Sequence, residues 1–291
     1  MLISNVERAS EEPMSRSETA NNSGDIGAGH ILRRKSDGSF EQIVDELAAE
    51  EPLEIRVGDR TLAVTMRTPG NDDELAAGFL LSEAVVHDRA EIREITRPAL
   101  ALTRENIVTV TLAPEVKLKF GKLRRFGTIS SSCGVCGKTS IESVRQNFPA
   151  ITSKTRISAQ TLLEFPDEMR RKQSNFTRTG GIHAAAIFSV TGELIGLRED
   201  VGRHNAVDKV IGRAFLDRLL PLDAHLLFVS GRASFEIVQK ALAAGIAIIA
   251  SVSAPSTLAA NFCRENNQTL IGFLRPPSFN IYSHAERVVL L

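Results

Sequence analysis

The sequence predicts an α/β chain whose second half folds around a parallel or mixed sheet with helices on both faces. Three observations predict it. In the second half, apolar runs of strand length alternate with helix-periodic segments of about 10 to 15 residues. In the first half, two alternating runs meet at Gly58-Asp59, a hairpin signature. Hydrophobic residues make up 43% of the 291, enough for one large domain or two.

The elements follow in order. Residues 1–35 are rich in Asn, Ser, Glu and Gly without periodicity and predict a disordered tail, with order beginning near Ile43. Leu53, Ile55 and Val57 alternate with charged residues, as do Leu62, Val64 and Met66 after the turn. Asn71 with Glu74 reads as a helix N-cap pair, and Leu75, Phe79 and Leu80 give helical spacing up to Val86. A strand over 107–112 precedes the basic run KLKFGKLRR, residues 117–125, where we place the boundary between a small α+β domain (36–125) and a larger one (126–291). Thr191-Gly192 joins two strands, 182–190 and 193–197. Helices are expected over 205–219, 234–244 and 256–266, and strands over 226–230, 246–252 and 269–273.

Composition excludes several classes of function. Lys+Arg and Asp+Glu are both 35, so no global basic field draws the chain to nucleic acid or to an anionic membrane. No basic n-region with a long apolar run opens the sequence, and the most apolar stretch, 241–250, is far shorter than the roughly 20 residues that span a bilayer. Three cysteines make a disulfide framework improbable and point to a reducing, cytoplasmic setting.

The sharpest motif is SSSCGVCG, in which Cys133 and Cys136 sit in a Ser/Gly loop. Thr139 and Glu142 then resemble a capping box, so the thiols precede a helix N-terminus, where backbone N–H groups favour a thiolate. A thiolate attacks a sulfur donor and stores a persulfide. The spacing also fits half a zinc site or a redox pair, although no second CxxC exists and Cys263 stands alone on a helix expected to bury it. His284-Ala285-Glu286 matches part of the zinc-deaminase signature, but it follows the CxxC instead of preceding it.

Four polar segments fall at expected strand ends, where open α/β sheets bind ligands. TRTGGIH carries Gly180 and Gly181 between Arg178 and His183. REDVGRHNAVDK carries Arg203, His204, Asn205 and Lys209 just before a helix. SGRAS carries Ser230, Gly231 and Arg232, and SAPS, residues 253–256, closes the next strand. Glycines permit close backbone approach, and arginine beside a helix N-terminus suits a phosphate.

Together these strings, with SSCGVCGK, TRTGGIHAAAIF, REDVGRHNAVDKVIG, SGRASFEIVQKA and GFLRPPSFNIYS, resemble the FdhD family from about Glu50 to the C-terminus. The resemblance implies a homodimer with a cytidine-deaminase-like three-layer domain after a smaller N-terminal one. It implies that a cysteine desulfurase loads sulfur onto the CxxC loop as a persulfide. It further implies that the protein sulfurates the molybdenum bis(guanine dinucleotide) cofactor for a formate dehydrogenase apoprotein and holds no metal of its own. Cys133 matches the family's persulfide cysteine and Cys136 the second loop cysteine. Phe273, Leu274, Arg275, Pro276, Pro277 and Ser278 match its cofactor-binding segment. Pro276-Pro277 departs from the family's pattern there, and proline offers no N–H for an amide contact. Two guanosine diphosphate arms need N–H-rich positive loops, so Arg203, Arg232 and Arg275, with Lys209, are the expected GDP ligands. The alternatives are a cofactor-binding chaperone that moves no sulfur and a zinc-dependent deaminase.

Overall fold

The computed structural model describes residues 24–97, 106–116, 128–129 and 148–290. The chain opens with an antiparallel hairpin, β1 (Ile26–Arg34) and β2 (Phe40–Ala48), in register from Ile26↔Ala48 to Arg34↔Phe40. Its first strand lies within the stretch expected to be a disordered tail, and both strands precede or span the expected start of order. Gly27 and Gly29 interrupt the apolar alternation of β1, which hid the strand.

A five-stranded sheet follows. β3 (Glu51–Val57) and β4 (Arg60–Arg67) form the expected hairpin. After α1 (Asp72–Ser82) come β5 (Ile92–Thr96), β6 (Ile107–Leu112) and β7 (Thr128–Ile129), giving the order β5-β6-β3-β4-β7. β7 pairs with β4 just beyond residue 125. The expected Asn71 cap does not form: Asn71 takes a left-handed backbone (φ 56°) with no side-chain cap bond. Glu74 instead receives a hydrogen bond from Arg198 Nη2 at 2.7 Å. The helix ends at Ser82, four residues earlier than periodicity implied, and Ala84 follows with φ 53°.

The second sheet is the larger one. β8 (Ile157–Ser158) leads into α2 (Ala159–Lys172), capped by Ser158 Oγ accepting from Thr161 N at 3.0 Å. Pro166 lies inside α2, which masks the helix in the sequence. α3 (Ser174–Thr179), β9 (His183–Ser189), β10 (Leu194–Asp200), α4 (Arg203–Leu216), β11 (His225–Val229), α5 (Phe235–Ala243), β12 (Ile248–Ser251), α6 (Thr257–Glu265), β13 (Thr269–Arg275), β14 (Ser278–Ser283) and β15 (Val288–Val289) complete the chain. The sheet order is β10-β9-β11-β12-β13-β14. β11, β12 and β13 run parallel and the outer strands are antiparallel. α5 and α6 pack together on one face, Phe235 meeting Phe262 edge-on with ring centroids 5.0 Å apart. On the other, Phe165 of α2 stacks on Phe188 of β9 with ring centroids 4.2 Å apart.

α1 joins the two sheets. A Cβ on Gly78 would stand 2.0 Å from Asp208 O, and one on Gly212 would stand 1.8 Å from Glu74 O. α1 and α4 therefore cross at backbone contact, which only glycine permits. One continuous apolar cluster runs from Leu53 and Ile55 through Leu75 and Ile211 to Leu227.

Candidate functional site

The parallel strands β11, β12 and β13 end at one edge of the six-stranded sheet. The antiparallel β9 begins there and β10 ends there, since His183 pairs with Asp200 and Ser230 N donates to Ala184 O at 2.9 Å. Five strands thus deliver polar loops to one edge, the usual ligand position of an open α/β sheet.

Gly231 brings three of these loops together. A Cβ there would meet His183 Nδ1 at 3.4 Å and Arg203 Cδ at 3.6 Å. Ser230 Oγ accepts from Ala184 N at 2.9 Å, fixing this turn to β9. Arg232 beside it is exposed. On the next loop, Arg275 Nε donates to Val252 O at 3.0 Å and Phe273 N to Ser253 O at 3.2 Å. Phe273 is exposed with φ 53°, and Leu274 is buried in the core. Pro276 and Pro277 form the turn of the β13–β14 hairpin, in which Arg275 pairs with Ser278. The segment from Phe273 to Ser278 is therefore one hairpin tip with Arg275 anchored at its base.

The Arg203 segment lies differently from the sequence expectation. α4 starts at Arg203, so His204, Asn205 and Lys209 are helical residues and all three are buried. Lys209 does not face the loops: its Nζ lies 2.7 Å from Asp200 Oδ2 and donates to Thr68 O at 2.8 Å. Asn205 Nδ2 donates to Met66 O at 2.7 Å and to Asp200 Oδ1 at 3.1 Å. These two side chains brace the site from beneath. Gly180, in the left-handed region at φ 66°, and the exposed Gly181 lead into β9 from α3. Arg178 turns away and pairs with Glu46 of the β1–β2 hairpin.

Three helices enter this edge: α4 and α5 lack a side-chain N-cap, whereas α6 is capped by Ser256, as α2 is by Ser158. Ser234, at the α5 N-cap, uses its Oγ on His204 Nε2 at 3.0 Å instead. Burial drives the His204 pKa down to about 3, and Lys240 and Arg203 push the same way, so the ring is neutral at pH 7. Burial also lowers His183, helped by Arg203 and opposed by Asp200. Below them, Lys240 Nζ donates to Asp208 Oδ2 at 2.8 Å and to Ser82 Oγ at 3.0 Å. Burial lifts Asp208 to about 6 against the pull of Lys240.

The arrangement offers two uncapped helix N-termini, neutral imidazoles and arginines at one edge, a chemistry that suits phosphate oxygens. Thr68, Asp200, Asp208 and Lys240 escaped the sequence reading. The available signal was ionic residues at core-facing helical positions, as in Asp208 and Lys240. Cys133, Cys136 and the basic run 117–125 lie outside the described residues. Cys263 is fully buried, and burial raises its thiol to about 12. Among the described residues no cluster of His, Cys, Asp and Glu fits a metal. His284 and Glu286 contact each other at 3.1 Å near the far end of β14. A cavity of about 690 Å³ lies away from the loops, beside residues 149–153 and 242–245, and none of the expected site residues lines it. Among the described residues no helix is long and apolar enough to cross a membrane.

Comparison with known proteins agrees with this architecture. The family model described as FdhD/NarQ family matches residues 48–289. A sulfur carrier protein FdhD of Streptomyces coelicolor is 49% identical over 264 residues, covering 88% of this chain and 94% of that protein. One of Mycobacterium tuberculosis is 47% identical over 275 residues, covering 90% of this chain and 100% of that protein. A crystal structure from Desulfotalea psychrophila, described as a formate dehydrogenase accessory protein, superimposes with a TM-score of 0.74 at 24% identity. It covers 91% of this chain and 100% of its own, and at that identity it speaks to the fold alone.

Proposed function

The chain belongs to the FdhD/NarQ family, and from that premise we propose that it is a sulfur carrier acting in formate dehydrogenase maturation. In this reading the Cys133 thiolate attacks the terminal sulfur of a cysteine desulfurase's persulfide. The donor's S–S bond breaks, its thiolate leaves, and Cys133 carries the persulfide; Cys136 relays or resolves it. In the transfer step the Cys136 thiolate attacks the Cys133 sulfur, the persulfide S–S bond breaks, and a Cys133–Cys136 disulfide forms that a cellular thiol reductant reopens. The outer sulfur leaves at the sulfide level to the molybdenum of the bis(guanine dinucleotide) cofactor, held as substrate, before the cofactor enters the formate dehydrogenase apoprotein. The reading includes a cytoplasmic homodimer, a small N-terminal domain and a cytidine-deaminase-like second domain.

The observation that carries the ligand half of the proposal is the meeting of His183, Arg203 and Gly231 at a sheet edge that also presents Arg232 and Arg275. That edge can receive a diphosphate without any resident metal. The mixed six-stranded sheet with helices on two faces supports the domain assignment.

The test is intact mass after incubation with a cysteine desulfurase and cysteine. Wild type and Cys263→Ala are expected to gain one sulfur that a reductant removes as sulfide. Cys133→Ala is expected to gain none, and Cys136→Ala to accept sulfur but transfer it poorly. Full formate dehydrogenase activity in cells carrying only Cys133→Ala would overturn the mechanism and favour a chaperone that moves no sulfur.

A further inference from the structure

Thr68 follows β4 in the first sheet, yet all three of its polar groups are spent on the ligand edge of the second. Its N–H donates to Asp200 Oδ2 at 3.2 Å, its Oγ1 accepts from Val201 N at 3.0 Å, and its C=O accepts from Lys209 Nζ at 2.8 Å. It is 2% exposed, so water does not compete for these bonds. Two residues earlier, Met66 O accepts from Asn205 Nδ2. Asp200 completes the arrangement: its carboxylate takes Gly202 N at 2.8 Å as well as Lys209 Nζ, and it is fully buried. The Gly202 turn is tight, since a Cβ there would stand 2.9 Å from Asn205 Nδ2.

We infer that Thr68 is a positioning residue for the ligand site: the N-terminal sheet, through this residue, holds the Asp200–Gly202 turn that aims Arg203 and the α4 N-terminus. The inference rests on the reading of this edge as the guanosine diphosphate site. A turn fixed before the ligand arrives costs no ordering when it binds, whereas a loosened one must be ordered at the expense of affinity. The residue touches no ligand itself. It acts through Val201 and Asp200, which is why nothing about it stands out in the sequence: Thr-Pro-Gly reads as an ordinary turn.

The experiment is calorimetric titration of GDP, well below the melting temperature, into the full chain and four variants. Thr68→Val keeps the shape but removes the acceptor for Val201 N–H and is expected to weaken GDP about fivefold. Thr68→Ser restores the hydroxyl and is expected to bind within about twofold of wild type. Arg232→Ala and Arg275→Ala report on the site itself, each weakening GDP about tenfold or more. Unchanged GDP affinity in Thr68→Val, with only a lowered melting temperature, would show a purely structural role and overturn the inference. No GDP binding by wild type, or full binding by both arginine variants, would instead remove the site reading and this inference with it. If Thr68→Val fails to fold, amide exchange of wild type decides. The Val201 amide is expected to be protected before GDP is added, and protection that appears only with GDP would refute a turn positioned in advance.

Discussion

At the scale of single residues, burial has changed what several side chains can do. His204 is the clearest case, because its folded pKa of about 3 lies below the ordinary histidine value of 6.5. The unfolded chain therefore binds the proton first, so this group's contribution is intact above 6.5 and is lost as pH falls from 6.5 toward 3. At pH 5 the loss is about 2 kcal/mol. Asp208 works in the opposite direction: raised to about 6, its contribution is present at low pH and is lost as pH rises through 6. His204→Gln keeps a polar group for Ser234 but cannot titrate. Urea unfolding at pH 7 and pH 5 is expected to show wild type losing about 2 kcal/mol more than the variant on acidification, the Asp208 contribution cancelling between them. Equal losses would mean that His204 is solvated in the native state. Where a glycine or arginine ended an apolar run, as at Gly231 and Arg232, the sequence placed the residue at a strand end, and the structure has both just after β11. It misjudged Lys209, since a lysine near a ligand loop looks the same whether it faces solvent or Asp200. Only the fold brings Asp200, Thr68 and Lys209 within bonding distance.

At the scale of elements, the decisive contact is between α1 and α4. Gly78→Ala would normally gain up to about 1 kcal/mol of helix propensity in a helix interior. Here the added methyl would stand 2.0 Å from Asp208 O, a backbone atom with nowhere to go. Overpacking of that kind costs about 3 kcal/mol or more, so the net effect is expected to be a clear fall in the urea midpoint. Gly212→Ala, facing Glu74 O at 1.8 Å, is expected to behave the same way. A midpoint at or above wild type for either variant would mean the helices stand further apart. The two glycines had no visible purpose in the sequence, because helical glycine is explained only by the partner it approaches. Elements with clean periodicity were readable: β6 matched its expected bounds, and the β3–β4 and β9–β10 hairpins appeared around their turns. α2 was hidden by Pro166, β1 by its glycines, and β14 by the Pro-Pro turn before it.

At the scale of the molecule, the two sheets share one core through α1 and are tied by the buried Lys240–Asp208–Ser82 and Thr68–Asp200–Lys209 networks. A shared core of this kind unfolds as a unit. The chain has no tryptophan and one tyrosine, Tyr282, which lies in β14 of the larger sheet. Its fluorescence thus reports one sheet while far-ultraviolet circular dichroism reports both. The two urea transitions are expected to coincide, and a separate early step in the dichroism would show that the first sheet melts alone. The α1–α4 contact also has a consequence in time. Asp208 follows its partner Ser82 by 126 positions, so at roughly 5 to 20 residues per second the ribosome delivers α4 about 6 to 25 seconds after α1. Through that interval the face of α1 that carries Glu74, Gly78 and Ser82 has no helix to cover it. The nascent chain is most exposed to misassociation in the same window in which it is waiting for the segment that carries its proposed ligand edge.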